Sequence, residues 1–141
     1  MKRRNAILTI GLLLSFFVIT FLFTRNLGVV EKSDTGGIVL LSPKSESIIA
    51  NPVSVSGRID SSWLEDGMPN IFLTNWDGLI ISEIVARKDG QVDGKGFQSF
   101  KADLRYEKPE YNERGFLIVQ RANPTKDPKK AEALEIAVYF K

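Results

Sequence analysis

Between Arg4 and Arg25 the chain carries no charge: Asn5 to Thr24 reads NAILTIGLLLSFFVITFLFT. About 20 such residues are what a helix needs to cross a hydrocarbon core of ~30 Å. Lipid offers the backbone no water to bond to, and a single helix satisfies its own N–H and C=O groups. The β-branched and aromatic residues in the run are modest helix formers in water, a preference that lipid overrides. The run therefore predicts a bilayer-spanning helix, which leaves any folded body to the residues after it. Lys2, Arg3, Arg4 and the free amino group precede the run. Arg25 follows it, and Lys32 is offset by Glu31 and Asp34. The more basic flank stays in the cytoplasm, so the body is expected outside. A cleaved signal peptide would have a shorter apolar region of ~7–15 residues and a small-x-small site. TRNLGVVEK, the stretch that follows, offers no such site. The expected organisation is a cytoplasmic tip and membrane helix over residues 1–25, a flexible linker over 26–37, and a folded body over 38–141.

The net charge of +2 belongs to the two ends of the apolar run rather than to the body. Lys2, Arg3, Arg4 and Arg25 are basic, and every acidic residue lies beyond Arg25, so the body is slightly acidic. That excludes an electrostatic footprint for nucleic acid. With no Cys there is no lipid-modified N-terminal cysteine and no disulfide. A body of this length can bury a working core without them.

Beyond the linker the apolar residues follow a period of two. Val53, Val55, Gly57 and Ile59 alternate with Ser54, Ser56 and Arg58, the pattern of a half-buried strand. Ile71 to Thr74 and Leu79 to Ala86 flank Asn75-Trp-Asp-Gly78, a turn signal that predicts an antiparallel hairpin. Phe100, Ala102 and Leu104 share one face of a strand, GFLIVQ (115–120) reads as a central strand, and Leu134, Ile136, Val138 and Phe140 alternate in the last one. Pro43 and Pro52 interrupt Ile38 to Ala50, which reads as an edge strand in two segments. Lys129 to Leu134 leaves room for one helical turn at most. About seven short strands separated by turn signals predict an all-β body, an antiparallel sandwich with two sheets meeting through their apolar faces.

Leu40-Leu-Ser-Pro43, Asn51-Pro-Val-Ser-Val-Ser-Gly57, Trp63-Leu-Glu65, the Asp77-Gly78 turn, Phe100-Lys-Ala102, Asn123-Pro-Thr125, Pro128 and the strand Ile136 to Phe140 follow one another in a telling order. In that order the chain resembles the bacterial spore-germination immunoglobulin-like domain of the Gmad type, over nearly all of its length after Gly37. The loop Asp89-Gly-Gln-Val-Asp-Gly94 departs from that pattern, in which an aromatic tends to stand after the hairpin. The resemblance implies an immunoglobulin-like β-sandwich exported across the membrane, with a binding or scaffolding role and no catalytic residues.

The absence of His and Cys removes the commonest general base, nitrogen metal ligand and thiol nucleophile. Neither a cofactor nor a metal is expected. Glu65 and Asp66 are adjacent in one loop, whereas the two acids of a glycoside hydrolase usually face each other across a cleft. A solvated turn is the expectation for them. Asp89 to Gly96 is only loosely like a calcium loop, lacking the alternating oxygen ligands and the closing Glu, so a plain hairpin tip is expected there. Trp63 is expected in the core. Trp76, within a turn, together with Tyr106, Tyr111, Tyr139 and Glu65, forms the candidate ligand surface; exposed aromatics can stack on flat ligand faces such as sugar rings. The partners expected are the lipid bilayer through residues 5–24 and an envelope protein, or in the alternative a cell-wall glycan, with no nucleic acid.

Overall fold

Alternating side chains make half-buried strands, and Gly, Pro and Asn pairs stop them, so the chain folds into short strands joined by tight connections. The computed structural model describes residues 34–141. Its strands are β1 (Asp34–Thr35), β2 (Ile38–Ser42), β3 (Ser47–Ile49), β4 (Val53–Asp60), β5 (Asn70–Asn75), β6 (Ile80–Val85), β7 (Arg87–Lys88), β8 (Phe97–Leu104), β9 (Arg114–Gln120) and β10 (Ala133–Phe140). Sheet I has the order β1-β2-β4-β8-β7 and sheet II the order β3-β10-β9-β5-β6. The seven strands of five residues or more are those the sequence pattern marks; β1, β3 and β7, of two or three residues, bring the count to ten. Every pairing is antiparallel except β3 with β10, which is parallel. The membrane helix expected over residues 5–24, and most of the expected linker, fall outside the described residues. Among those described, no helix is long and apolar enough to cross a membrane.

Residues paired across strands share a face, so the registers sort the side chains. From sheet I, Ile38, Leu40, Val53, Val55, Ile59, Phe100, Ala102 and Leu104 are buried. From sheet II, Ile71, Leu73, Leu117, Val119, Leu134, Ile136, Val138 and Phe140 are buried, and together they make one core. Each large side chain withdrawn from water contributes about 1.5–3 kcal/mol. One glycine in each sheet admits an aromatic ring. A Cβ on Gly57 would come within 2.5 Å of the Val39 carbonyl and 2.7 Å of the Phe100 ring. A Cβ on Gly115 would collide with the Thr74 carbonyl and the Phe140 ring.

The two segments read as one edge strand belong to different sheets. β2 pairs with β4 in sheet I, and the chain then crosses at Pro43–Glu46 so that β3 pairs with β10 in sheet II. Proline stops each ladder where the switch occurs. On the opposite side the chain crosses again, from β6 in sheet II through buried Ala86 to β7 in sheet I. Asn75 sets the β5–β6 hairpin: its Oδ1 accepts from the N–H groups of Asp77 and Leu79, and Gly78 takes the positive φ of 80°.

Candidate functional site

The candidate side chains divide between the two ends of the sandwich. At the end where the chain enters sheet I, Asp60 accepts from Ser62 N–H and caps a 3-10 turn over Ser61–Glu65. That turn drives Trp63 into the core, against Gly37. The Arg121 guanidinium lies 5.3 Å from the Trp63 ring centre. It also pairs with Glu132 at 2.8 Å and with Asp66 at 3.1 Å, while Lys130 reaches Asp66 at 2.7 Å. The neighbours Glu65 and Asp66 therefore part company. Glu65 is exposed, as expected of a solvated turn. Asp66 is not solvated: its side chain is only 9% exposed and sits between two cations. The Lys130 hydrogen bond, and then that of Arg121, hold the Asp66 carboxyl below its ordinary value of 3.8. A carboxylate held ionised by two cations is suited to clamping the 3-10 turn onto the loop before β10.

The opposite end carries Trp76, Tyr106, Tyr111 and Tyr139. Trp76 is 54% exposed at the tip of the β5–β6 hairpin, and Tyr111 is 92% exposed in the loop before β9. Tyr106 corrects the expectation of an exposed ring. It is 7% exposed, its ring centre 5.3 Å from that of Phe140, with its hydroxyl donating to the Ile49 carbonyl at 3.3 Å. Burial raises the Tyr106 phenol above its ordinary value. Asn51 fixes the backbone beneath it, donating from Nδ2 to the Tyr106 carbonyl at 2.6 Å. Tyr139 is half-buried. The Glu46 carboxylate beside its hydroxyl raises the phenol above its ordinary value. Arg114 reaches the same carboxylate at 3.7 Å. Glu46, in the sheet-switching loop, adopts a positive φ of 61° and donates its N–H to the Ala137 carbonyl.

The loop from Asp89 to Gly96 is a structured tip. Asp93 Oδ1 accepts from the N–H groups of Lys95 and Phe97, bonds that hold its carboxyl below the ordinary value. Among the described residues no group of three His, Cys, Asp or Glu side chains is placed to hold a metal ion.

The feature that residue-by-residue reading missed is the outer face of sheet II. The registers lay out three rows across β10, β9, β5 and β6: Ala137–Phe116–Thr74–Ile80, Glu135–Ile118–Phe72–Glu83 and Ala133–Gln120–Asn70–Val85. Tyr139 and Ile48 extend this face onto β3. Ile48, Ile80 and Val85 are exposed, and Phe72, Phe116 and Ile118 are half-buried. The aromatics cover enough of the sheet to bury Thr74, whose hydroxyl has no hydrogen-bond partner among the described residues. Arg114 lies over Phe116, 5.5 Å from its ring centre. The signal available in the sequence was the loss of alternation in GFLIVQ and IFL, where both faces of a strand are apolar. Compared with protein-family models, with curated proteins and with solved structures, the chain matches none.

Proposed function

We propose that this chain is a membrane-anchored, extracytoplasmic module of the bacterial cell envelope, immunoglobulin-like in fold, that binds another protein or serves as its scaffold. The observation that carries the reading is the apolar outer face of sheet II, centred on Phe72, Phe116 and Ile118. A contiguous apolar area on a folded surface marks a place of contact. The uncharged run Asn5–Thr24 supplies the anchor. Two five-stranded sheets, between which the chain passes repeatedly, are compatible with the immunoglobulin-like sandwich that the resemblance to the Gmad-type domain implies.

Two measurements test this reading. Membrane fractionation with external protease should recover the full chain with membranes and remove the body from intact cells. Crosslinking in intact envelopes, followed by pull-down, should retain a discrete partner on the wild-type chain and on Lys101→Ala, and lose it on Phe72→Lys. A chain found in the cytosol, or a partner indifferent to Phe72→Lys, overturns the proposal. Exposure of Trp76 and Tyr111 at one end favours a second reading, recognition of cell-wall glycan by aromatic stacking. Glycan retention that falls with Trp76→Ala supports it, and unchanged or absent retention removes it.

A further inference from the structure

The lateral edges of the two sheets are not alike. Sheet I ends in β1 and β7, of two residues each, and sheet II ends on one side in β3, of three. Short and charged edge strands keep a sheet from recruiting another strand, and β7 is Arg87–Lys88. The remaining edge, β6, runs for six residues without Pro, Lys or Arg, and exposes Ile80, Ile84 and Val85. The direction of its free backbone groups follows from the ladder. Ala86 N–H donates to the Pro69 carbonyl at 2.9 Å. Bonded and non-bonded pairs alternate in an antiparallel ladder. Hence Ile84 opposite Ile71, and Ser82 opposite Leu73, turn their N–H and C=O groups toward β5. Those of Glu83 and Val85 point away from the sheet. Beside them is a depression of about 320 Å³ lined by Asn70, Phe72, Glu83, Ile84 and Val85.

We infer that β6 is the docking edge for an extended segment of a partner protein, alternating apolar and basic residues, which adds as a sixth strand to sheet II. This rests on the protein-binding reading above and gives it a site. Backbone donors and acceptors repeating at strand spacing are matched by another extended backbone, with pockets for alternate side chains setting the choice of sequence. Glu83 is the one charged side chain of β6 and is exposed between Val85 and Ile80 on the outer face, so a basic side chain flanked by apolar ones is the complement of this edge. A second copy pairing β6 to β6 about Glu83 would set two carboxylates opposite each other, which is unfavourable.

The test uses the full chain in detergent and a fluorescent peptide of sequence TVTKTVT, with TVTETVT as its charge-reversed control. Saturable binding is expected for the first and weaker binding for the second. Glu83→Pro and Val85→Pro each remove one outward donor and no bond to β5, and each should weaken binding about tenfold. Glu83→Lys, which leaves the backbone alone, should reverse the preference between the two peptides. No saturable binding, or binding indifferent to all three substitutions, overturns the inference. A concentration-dependent dimer of the peptide-free chain that Val85→Pro abolishes also overturns it, in favour of a second copy. The envelope pull-down separates the two levels. A partner retained on Val85→Pro but lost on Phe72→Lys sinks the edge and leaves the protein-binding reading standing, whereas a partner retained on both sinks that reading as well.

Discussion

The outer faces of the two sheets present opposite chemistry, although both are built from strands of five to eight residues packed on one core. Sheet I shows Ser54, Ser56, Arg58, Ser99, Lys101 and Asp103, tied by Arg87–Asp103 at 3.2 Å and Lys101–Asp89 at 2.9 Å. Its aromatic at the far end, Phe97, lies under the Arg58 guanidinium, 5.6 Å away. Sheet II shows Phe72, Phe116, Ile118, Ile80 and Val85, with carboxylates only at the margins of one row. Water satisfies the first face. The second leaves apolar area in water, which costs free energy until something covers it. The fold needs only the inner faces, so what stands outside is free to serve contact.

One core serves both faces. Trp63→Ala should lower stability by about 3–5 kcal/mol in chemical denaturation, with both sheets lost in a single transition. Separate transitions for the two sheets would contradict a shared core. Next comes the apolar face itself: Phe72→Lys should weaken partner capture by about 2 kcal/mol or more, the scale of a central contact residue, while circular dichroism stays unchanged.

Acid should act through the clamp rather than through either face. The Asp66 carboxyl is held below its ordinary 3.8 by Lys130 and then Arg121. Its stabilisation is therefore present above that value and is lost as pH falls through the lower folded-state value. A stability profile of Asp66→Asn should be flatter than wild type over that acid range, and a parallel profile would contradict the assignment. The smallest effect belongs to sheet I: Lys101→Ala, at an exposed pair, should cost about 0–1 kcal/mol and less still in high salt.

Much of this fold was legible because strand signals are local. Val53 to Ile59 names its own buried face, and Asn75-Trp-Asp-Gly78 states the turn that joins β5 to β6. What was not legible depends on contacts distant in sequence. Tyr106 stands between Arg105 and Glu107 and reads as exposed, but its hydroxyl partner is the carbonyl of Ile49, 57 residues away. Asp66 looks like half of a solvated acidic pair until Arg121 and Lys130 are brought to it from beyond β9. The sheet switch at Pro43 was visible only as a break, since a proline ends a ladder without saying which sheet the next segment joins. Of the candidate surface, Trp76, Tyr111 and the half-buried Tyr139 lie at one end, Glu65 lies at the other, and Tyr106 is part of the core. The outer face of sheet II came into view only once register aligned Phe116 and Ile118 with Thr74 and Phe72.

The most direct measurement is a photo-crosslinking scan of the full chain in intact envelopes, with the reactive side chain placed in turn at Phe72 and Ile118 on sheet II and at Ser99 and Lys101 on sheet I. Discrete protein adducts from the two sheet II positions, and none from sheet I, are the expected result. Adducts from sheet I alone, or equally from both faces, would contradict the assignment of contact to the apolar face.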